Sequence, residues 1–310
     1  MKPINIVKIG IAVCLISVLS FTAGCVNDDL SVCGMTIVFK YTNNMAGVDK
    51  YDTDVKNVNL YIFDENGTFI DEYRILSNSV KLNLMPGTYD FVAWGNLSDG
   101  YVMPELRAGV SKLDTLMLSL KRESNEITQF PKPLFYGNIM RKDVRGDMIA
   151  GQVDTIDLIK DTKYVRITTF GLPPDESEYA CGISSLSATL KFDNTVTGLD
   201  VLDYKPQVAQ SDTAKWFVSA FALTREYGTN PSAAGPTNAQ LRVHYVPRAE
   251  QVFERELYPL LFAIAGSSTD AMIRRDTFDI TLLFDWAGAT VDISVADWEG
   301  SDGNSGLLGL

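Results

Sequence analysis

The feature that most constrains the fold is a period of two that recurs in short runs. Ile37, Phe39 and Tyr41 alternate with Thr36, Val38 and Lys40, and Val58, Leu60 and Ile62 alternate with Asn59, Tyr61 and Phe63. Successive side chains of an extended strand point to opposite faces, so this spacing builds one apolar face per run, which a helix of period 3.6 cannot do. The runs are punctuated where hairpins turn. Asp64-Glu65-Asn66-Gly67 carries an Asn-Gly pair that tolerates positive φ, and Pro86-Gly87 separates Val80, Leu82 and Leu84 from Tyr89, Phe91 and Ala93. Leu116, Leu118 and Leu120 add a further strand, after a helical turn expected between Met103 and Leu113. Later runs cover Gln152 to Ile159, Tyr164 to Thr169, Leu186 to Phe192, Trp216 to Leu223, Leu241 to Val246, Phe278 to Phe284 and Val291 to Val295. Short strands at such spacing predict an all-β chain of the sandwich type with few short helices. The pattern weakens from 121 to 150, around Pro131 and Pro133, and a helical or irregular segment is expected near Ala249 to Leu257.

The N-terminus follows a different rule. Lys2 and Lys8, an apolar run from Ile9 to Ala23, and Thr22-Ala23-Gly24 before Cys25 form a secretory leader whose apolar part is short for a bilayer span. A cysteine at the cut site makes it a lipoprotein signal, with Thr22 standing where leucine is usual. Each buried methylene contributes about 0.8 kcal/mol, and two or more acyl chains anchor a protein stably. The expected organisation is a signal peptide over 1–24, a lipidated tether over 25–35, a first β-sandwich over 36–160, and a second over 161–310 that includes the C-terminal tail.

Cleavage takes away Lys2 and Lys8 and no acid, which leaves 286 residues with 25 basic and 39 acidic side chains, a net charge of −14. That balance argues against nucleic acid as a partner, since such binding rewards basic patches with counterion release. The length suits two domains of ordinary size. Cys14 leaves with the leader and Cys25 is taken by lipid, so Cys33 and Cys181 remain, either as a disulfide or as two buried thiols.

Residues for catalysis are scarce. The one histidine, His244, lies in a strand pattern and reads as a packed imidazole, and Gly-x-Ser-x-Gly does not occur. Two leftover thiols cannot build a zinc site, and Asp52-Thr53-Asp54 and Asp64-Glu65-Asn66-Gly67 stop short of a calcium loop. Neither a metal nor a cofactor is expected. Nothing singles out a carboxylate pair among the 39 acids, which ranks a glycoside hydrolase last. Trp94, Trp216, Trp286 and Trp298 could stack on sugars, although Trp94 and Trp216 lie within strand patterns and read as core.

Four segments carry a resemblance that spans nearly the whole chain. They are Cys25 with Asp28-Asp29-Leu30-Ser31-x-Cys33, Phe39-Lys40-Tyr41-Thr42-x-Asn44, Leu60-Tyr61-Ile62-Phe63-Asp64-x-x-Gly67-x-Phe69, and Leu84-x-Pro86-Gly87-Thr88-Tyr89-x-Phe91-Val92-Ala93-Trp94-Gly95-Asn96. As an ordered set they resemble the FimB-type fimbrial anchor subunits of Bacteroidetes, the minor fimbria anchor lipoproteins of type V pili. The resemblance implies two tandem transthyretin-like Greek-key β-sandwich domains, lipid attachment at Cys25 to the outer membrane, and pilin subunits as partners. Asp28 and Asp29 then resemble the acidic signal of surface-exposed lipoproteins, and Thr115, Thr155 and Thr213 match a short glycosylation motif of such bacteria. Structural subunits of this class open a groove when a protease removes their first strand after an arginine. This chain has no arginine before Arg74, so its first strand, Thr36 to Tyr41, is expected to stay tethered and to stop growth. A donor strand for the next subunit is expected within residues 291–310. The competing readings are a surface lipoprotein that captures glycan and a pilus tip or accessory subunit.

Overall fold

The computed structural model describes residues 33–128, 131–145, 151–172, 178–185, 189–197, 200–205, 207–208, 215–220, 239–287, 290–296 and 306–308. The strands before Lys163 are β1 (Cys33–Asn43), β2 (Val58–Asp64), β3 (Phe69–Ile75), β4 (Ser79–Leu84), β5 (Gly87–Gly95), β6 (Tyr101–Val102), β7 (Met117–Leu120), β8 (Glu126–Ile127), β9 (Phe135–Val144) and β10 (Gln152–Lys160). Those that follow are β11 (Lys163–Phe170), β12 (Tyr179–Ser185), β13 (Thr189–Lys191), β14 (Val196–Thr197), β15 (Leu202–Tyr204), β16 (Gln207–Val208), β17 (Lys215–Ala220), β18 (Gln240–Tyr245), β19 (Glu250–Glu256), β20 (Thr277–Asp285), β21 (Thr290–Ala296) and β22 (Gly306–Leu308). Among the described residues, three short α-helices accompany them, α1 (Tyr51–Asp54), α2 (Leu257–Ile264) and α3 (Thr269–Arg274). No helix among the described residues is long and apolar enough to cross a membrane.

A seven-stranded sheet runs in the order β3-β2-β5-β9-β10-β1-β4. One face of it gathers Met35, Ile37, Phe39, Tyr41, Leu60, Ile62, Phe91 and Leu158 into a core whose other members come from the same strands and the α1 segment, so the sheet folds over its own apolar face. The opposite face carries Tyr61, Phe63, Val92, Trp94 and Tyr136, which pack with Leu116, Leu118 and Leu120 in a core that continues to Val165, Ile183, Leu241 and Ile280. This two-sided burial explains why β5 is apolar almost throughout. The turn before β3 is closed by Asp64, whose carboxylate accepts the backbone N–H groups of Thr68 (2.8 Å) and Asn66 (2.9 Å), and Gly67 takes φ 66°. The Thr68 bond is the chief reason that the Asp64 carboxyl lies below the usual carboxylate range.

A six-stranded sheet, β16-β17-β11-β20-β21-β22, lies wholly after Lys160. Two smaller sheets, β19-β18-β12-β15-β8 and β14-β13-β7-β6, draw strands from both sides of that residue, with Leu118 facing Leu190 and Ile127 facing Tyr204. Each large sheet seats its first strand parallel to a late one, β1 beside β10 and β11 beside β20.

Several local expectations shift. The stretch 121–150 holds β8 and the ten-residue β9, because Pro131 and Pro133 precede β9 and leave its ladder intact. The expected turn between Met103 and Leu113 falls instead at the 3-10 helix Leu113–Thr115. Glu250–Glu256 is an edge strand with charged residues on its open side, and the helix begins only at Leu257. Pro259 sits in the first turn of that helix, where no intrahelical donor is required.

Candidate functional site

The first strand is the element in which sequence and topology converge. β1 lies inside the seven-stranded sheet, parallel to β10 on one side and antiparallel to β4 on the other. Its register places Met35 opposite Gln152 and Leu82, and Ile37 opposite Asp154 and Val80. Without β1, both neighbours would present unpaired backbone edges that flank an apolar slot. Met35, Ile37, Phe39 and Tyr41 fill that slot and are each 0% exposed. At roughly 1.5–3 kcal/mol per fully buried side chain, the four together contribute on the order of 6–12 kcal/mol.

Polar contacts clamp the far end of the strand. Asp157 on β10 accepts the backbone N–H of Thr42 at 2.8 Å and also its hydroxyl, and the Asn43 amide donates to the Leu158 carbonyl at 3.2 Å. Asn44 is buried, and its amide donates to the carbonyls of Tyr41 and Val48, each at 2.8 Å. The Tyr41 hydroxyl donates to Asp276 Oδ1 at 3.4 Å, and Lys160 Nζ pairs with Asp276 Oδ2 at 3.0 Å. Burial first, and then the Asp276 charge, push the Tyr41 phenol up so that it stays protonated. Asp276 therefore links the first strand and the end of β10 to the loop before β20. Close by, the buried Lys163 ammonium donates to the Ile273 carbonyl at 2.5 Å. Asp157 and Asp276 carry no motif, and only the polar alternation of β10 hints at the first of them.

The other residues singled out by sequence are scattered. Cys25, Asp28, Asp29, Thr213 and Trp298 lie outside the described residues. Cys33 opens β1 opposite Leu84, whereas Cys181 is buried in β12 beside Val243 and is a free thiol. Cys33 and Cys181 lie on strands of different sheets. Burial pushes the Cys181 thiol up, which keeps it protonated and unreactive. Thr115 and Thr155 are exposed, and His244 is half-buried on β18 opposite Ala180. Trp94 is fully buried, while Trp286 is 51% exposed. Among the described residues, no three of His, Cys, Asp and Glu come together as a metal site.

A family model described as fimbrillin-A associated anchor proteins Mfa1 and Mfa2 matches residues 30–301. The chain belongs to this family. Among the relatives of this anchor-family chain, the minor fimbrium anchoring subunit Mfa2 of Porphyromonas gingivalis is 23% identical over 266 residues, 81% of this chain and 78% of that protein. The solved structure of the fimbrial anchor protein Mfa2 from Porphyromonas gingivalis superposes with a TM-score of 0.70 at 18% identity, covering 86% of this chain and 98% of its own. A Bacteroides thetaiotaomicron protein described as polysaccharide-binding gives a TM-score of 0.74 at 28% identity, with 86% of this chain and 96% of that one covered. The chain is thus a fimbrial anchor subunit by family, with the β-rich fold that such proteins share.

Proposed function

We propose that this chain is an outer-membrane lipoprotein that holds the base of a pilus and ends its assembly by keeping its own first strand in the groove that a pilin strand would otherwise enter. The observation that carries this reading is the seat of β1, paired on both edges and with its four inward side chains fully buried. In this reading residues 1–24 are removed, 25–35 form the lipidated tether, Asp28 and Asp29 mark it for the cell surface, and 36–160 and 161–310 form the two sandwich domains. The absence of arginine before Arg74 leaves the strand no arginine cut site that would free it. Cys25→Ser is expected to remove immunogold label from the cell surface at fibre bases and to shed long fibres into the medium. Label at fibre tips in the unaltered strain overturns the reading.

The subunit above must be held by something else, and the C-terminal segment is the candidate. β22 lies at the edge of the six-stranded sheet, where Gly306, Leu307 and Leu308 face Val295, Ser294 and Ile293. Three residues on an open edge can exchange at little cost. Truncation after Trp298 is expected to release pili from cells that still display the anchor. Normal cell-bound pili on such cells would show that the donor lies elsewhere.

Glycan capture remains the competing function, prompted by the description of the Bacteroides thetaiotaomicron relative. A flat sugar platform calls for coplanar exposed tryptophans on one rim. Of the two tryptophans whose side chains are described, Trp94 lies in the core and Trp286 alone faces solvent.

A further inference from the structure

We propose that the pole of the seven-stranded sheet at which β1 begins rests on the lipid bilayer, with Met85, Val110 and Val153 as its apolar contacts. The inference rests on the reading of Cys25 as the lipid site. Eight residues carry the chain from Cys25 to Cys33. At 3.3–3.6 Å per extended residue they reach at most about 29 Å, so this pole is the one the lipid can hold near the membrane.

The register places the three apolar side chains there. Cys33 faces Leu84, so Met85 is the next residue past the start of β1. Thr36 faces Val153 across the parallel pair and Lys81 across the antiparallel one. Gly87 faces Val144, Tyr89 faces Asp64, and β3 starts at Phe69, which brings the turn before β3 to the same rim. The loop of Val110 lies beside that turn, since Gly109 donates to the Phe69 carbonyl at 2.9 Å and Leu113 to the Gly67 carbonyl at 2.8 Å. Met85, Val110 and Val153 are 58%, 69% and 65% exposed, while Val48 (57%) and Leu76 (76%) are as exposed at the opposite pole, so the tether selects which of the two ends meets the bilayer. Exposed Lys81, Lys112 and Arg145 accompany them. Glu65 and Asp143 stand on the same pole, so its charge is mixed rather than the acid surface that a net −14 would set against anionic headgroups. The opposite pole is where Asn43 faces Ile159 and where the chain passes through Asp161 and Thr162 into β11. The 11 residues of β1 span roughly 35 Å between the two poles.

The test uses the full lipidated chain with Cys33→Ser, and a single fluorophore placed at Met85→Cys, Val153→Cys or, as the far-pole control, Leu76→Cys, which is 76% exposed. Cys25 carries lipid and Cys181 is buried, so neither takes the label. In vesicles containing nitroxide-labelled phosphatidylcholine, quenching at positions 85 and 153 is expected to exceed that at 76 several-fold. Equal quenching at all three positions, or stronger quenching at 76, in chains that float with the vesicles overturns the bilayer contact and leaves lipid anchoring standing. Chains that fail to float remove lipid anchoring, and the proposal falls with it.

Discussion

Phe39→Ala is expected to lower the unfolding free energy by about 3–5 kcal/mol, the range for deleting a fully buried aromatic side chain. The ring is 0% exposed and stacks on Tyr51 with centroids 6.5 Å apart, while its backbone N–H donates to the Asn78 carbonyl at 2.8 Å. The variant keeps the backbone bond and loses the packing. Val38→Ala is the matched control, because Val38 is half-buried on the other face of the same strand and its truncation is expected to cost about 1 kcal/mol or less. Urea unfolding of a chain that begins at residue 26 separates the two, with a midpoint shift above about 1 M for Phe39→Ala and a small one for Val38→Ala. Equal shifts would mean that β1 is not sorted by face, and the groove argument would lose its basis. On cells, a loosened first strand is expected to let fibres continue past the anchor, which microscopy reads as an increase in fibre length.

The alternation that marks β1, β2 and β5 was sufficient to place their faces, since a period of two leaves little freedom once one face is buried. Asn66-Gly67 and Pro86-Gly87 turn the chain where their backbone preferences direct. Strand partners are another matter. The pairing of β1 with β10 joins residues more than a hundred positions apart, and no local pattern distinguishes a parallel neighbour from an antiparallel one. The same limit explains the two shared sheets, where Leu118 meets Leu190 across the division expected after Lys160. β12 shows a second limit. Tyr179–Ser185 contains Gly182 and two serines, a weak strand by propensity, yet it pairs along both edges with β18 and β15.

The candidate site was legible in its apolar half and illegible in its polar half. Met35, Ile37, Phe39 and Tyr41 announce a buried face, and Arg74 as the first arginine is visible by reading along the chain. Asp157 and Asp276 are two acids among 39, and their roles arise only because folding brings one beside Thr42 and the other beside Tyr41 and Lys160. Counting cysteines left a disulfide and two buried thiols equally open, and Cys181 stands as a buried thiol in β12. Redox compartment makes a disulfide permissible, and only distance can make one form.

Gly171→Ala is expected to be comparably damaging at the end of β11. Gly171 has φ 78°, and a Cβ there would stand 2.2 Å from the Phe284 carbonyl oxygen and 3.3 Å from its carbon. Those atoms belong to β20 backbone, so relief requires moving a strand that pairs with β11 over seven positions. The carbonyl of Gly171 also accepts the Trp286 indole N–H at 2.7 Å, and that indole stacks on Phe284 with centroids 6.1 Å apart. Left-handed backbone costs an alanine about 1–2 kcal/mol and overpacking adds about 1–3 kcal/mol, for a loss of roughly 2–5 kcal/mol. Gly109→Ala isolates the first contribution, since Gly109 has φ 72° and a methyl group there would meet no atom within 4 Å. It should therefore lose only about 1–2 kcal/mol. Urea unfolding gives both losses, and Trp286 emission should shift in the Gly171 variant alone as its indole leaves the carbonyl. Equal losses in the two variants would mean that β20 yields freely, and that the seat joining Gly171, Phe284 and Trp286 does not hold the end of the sheet.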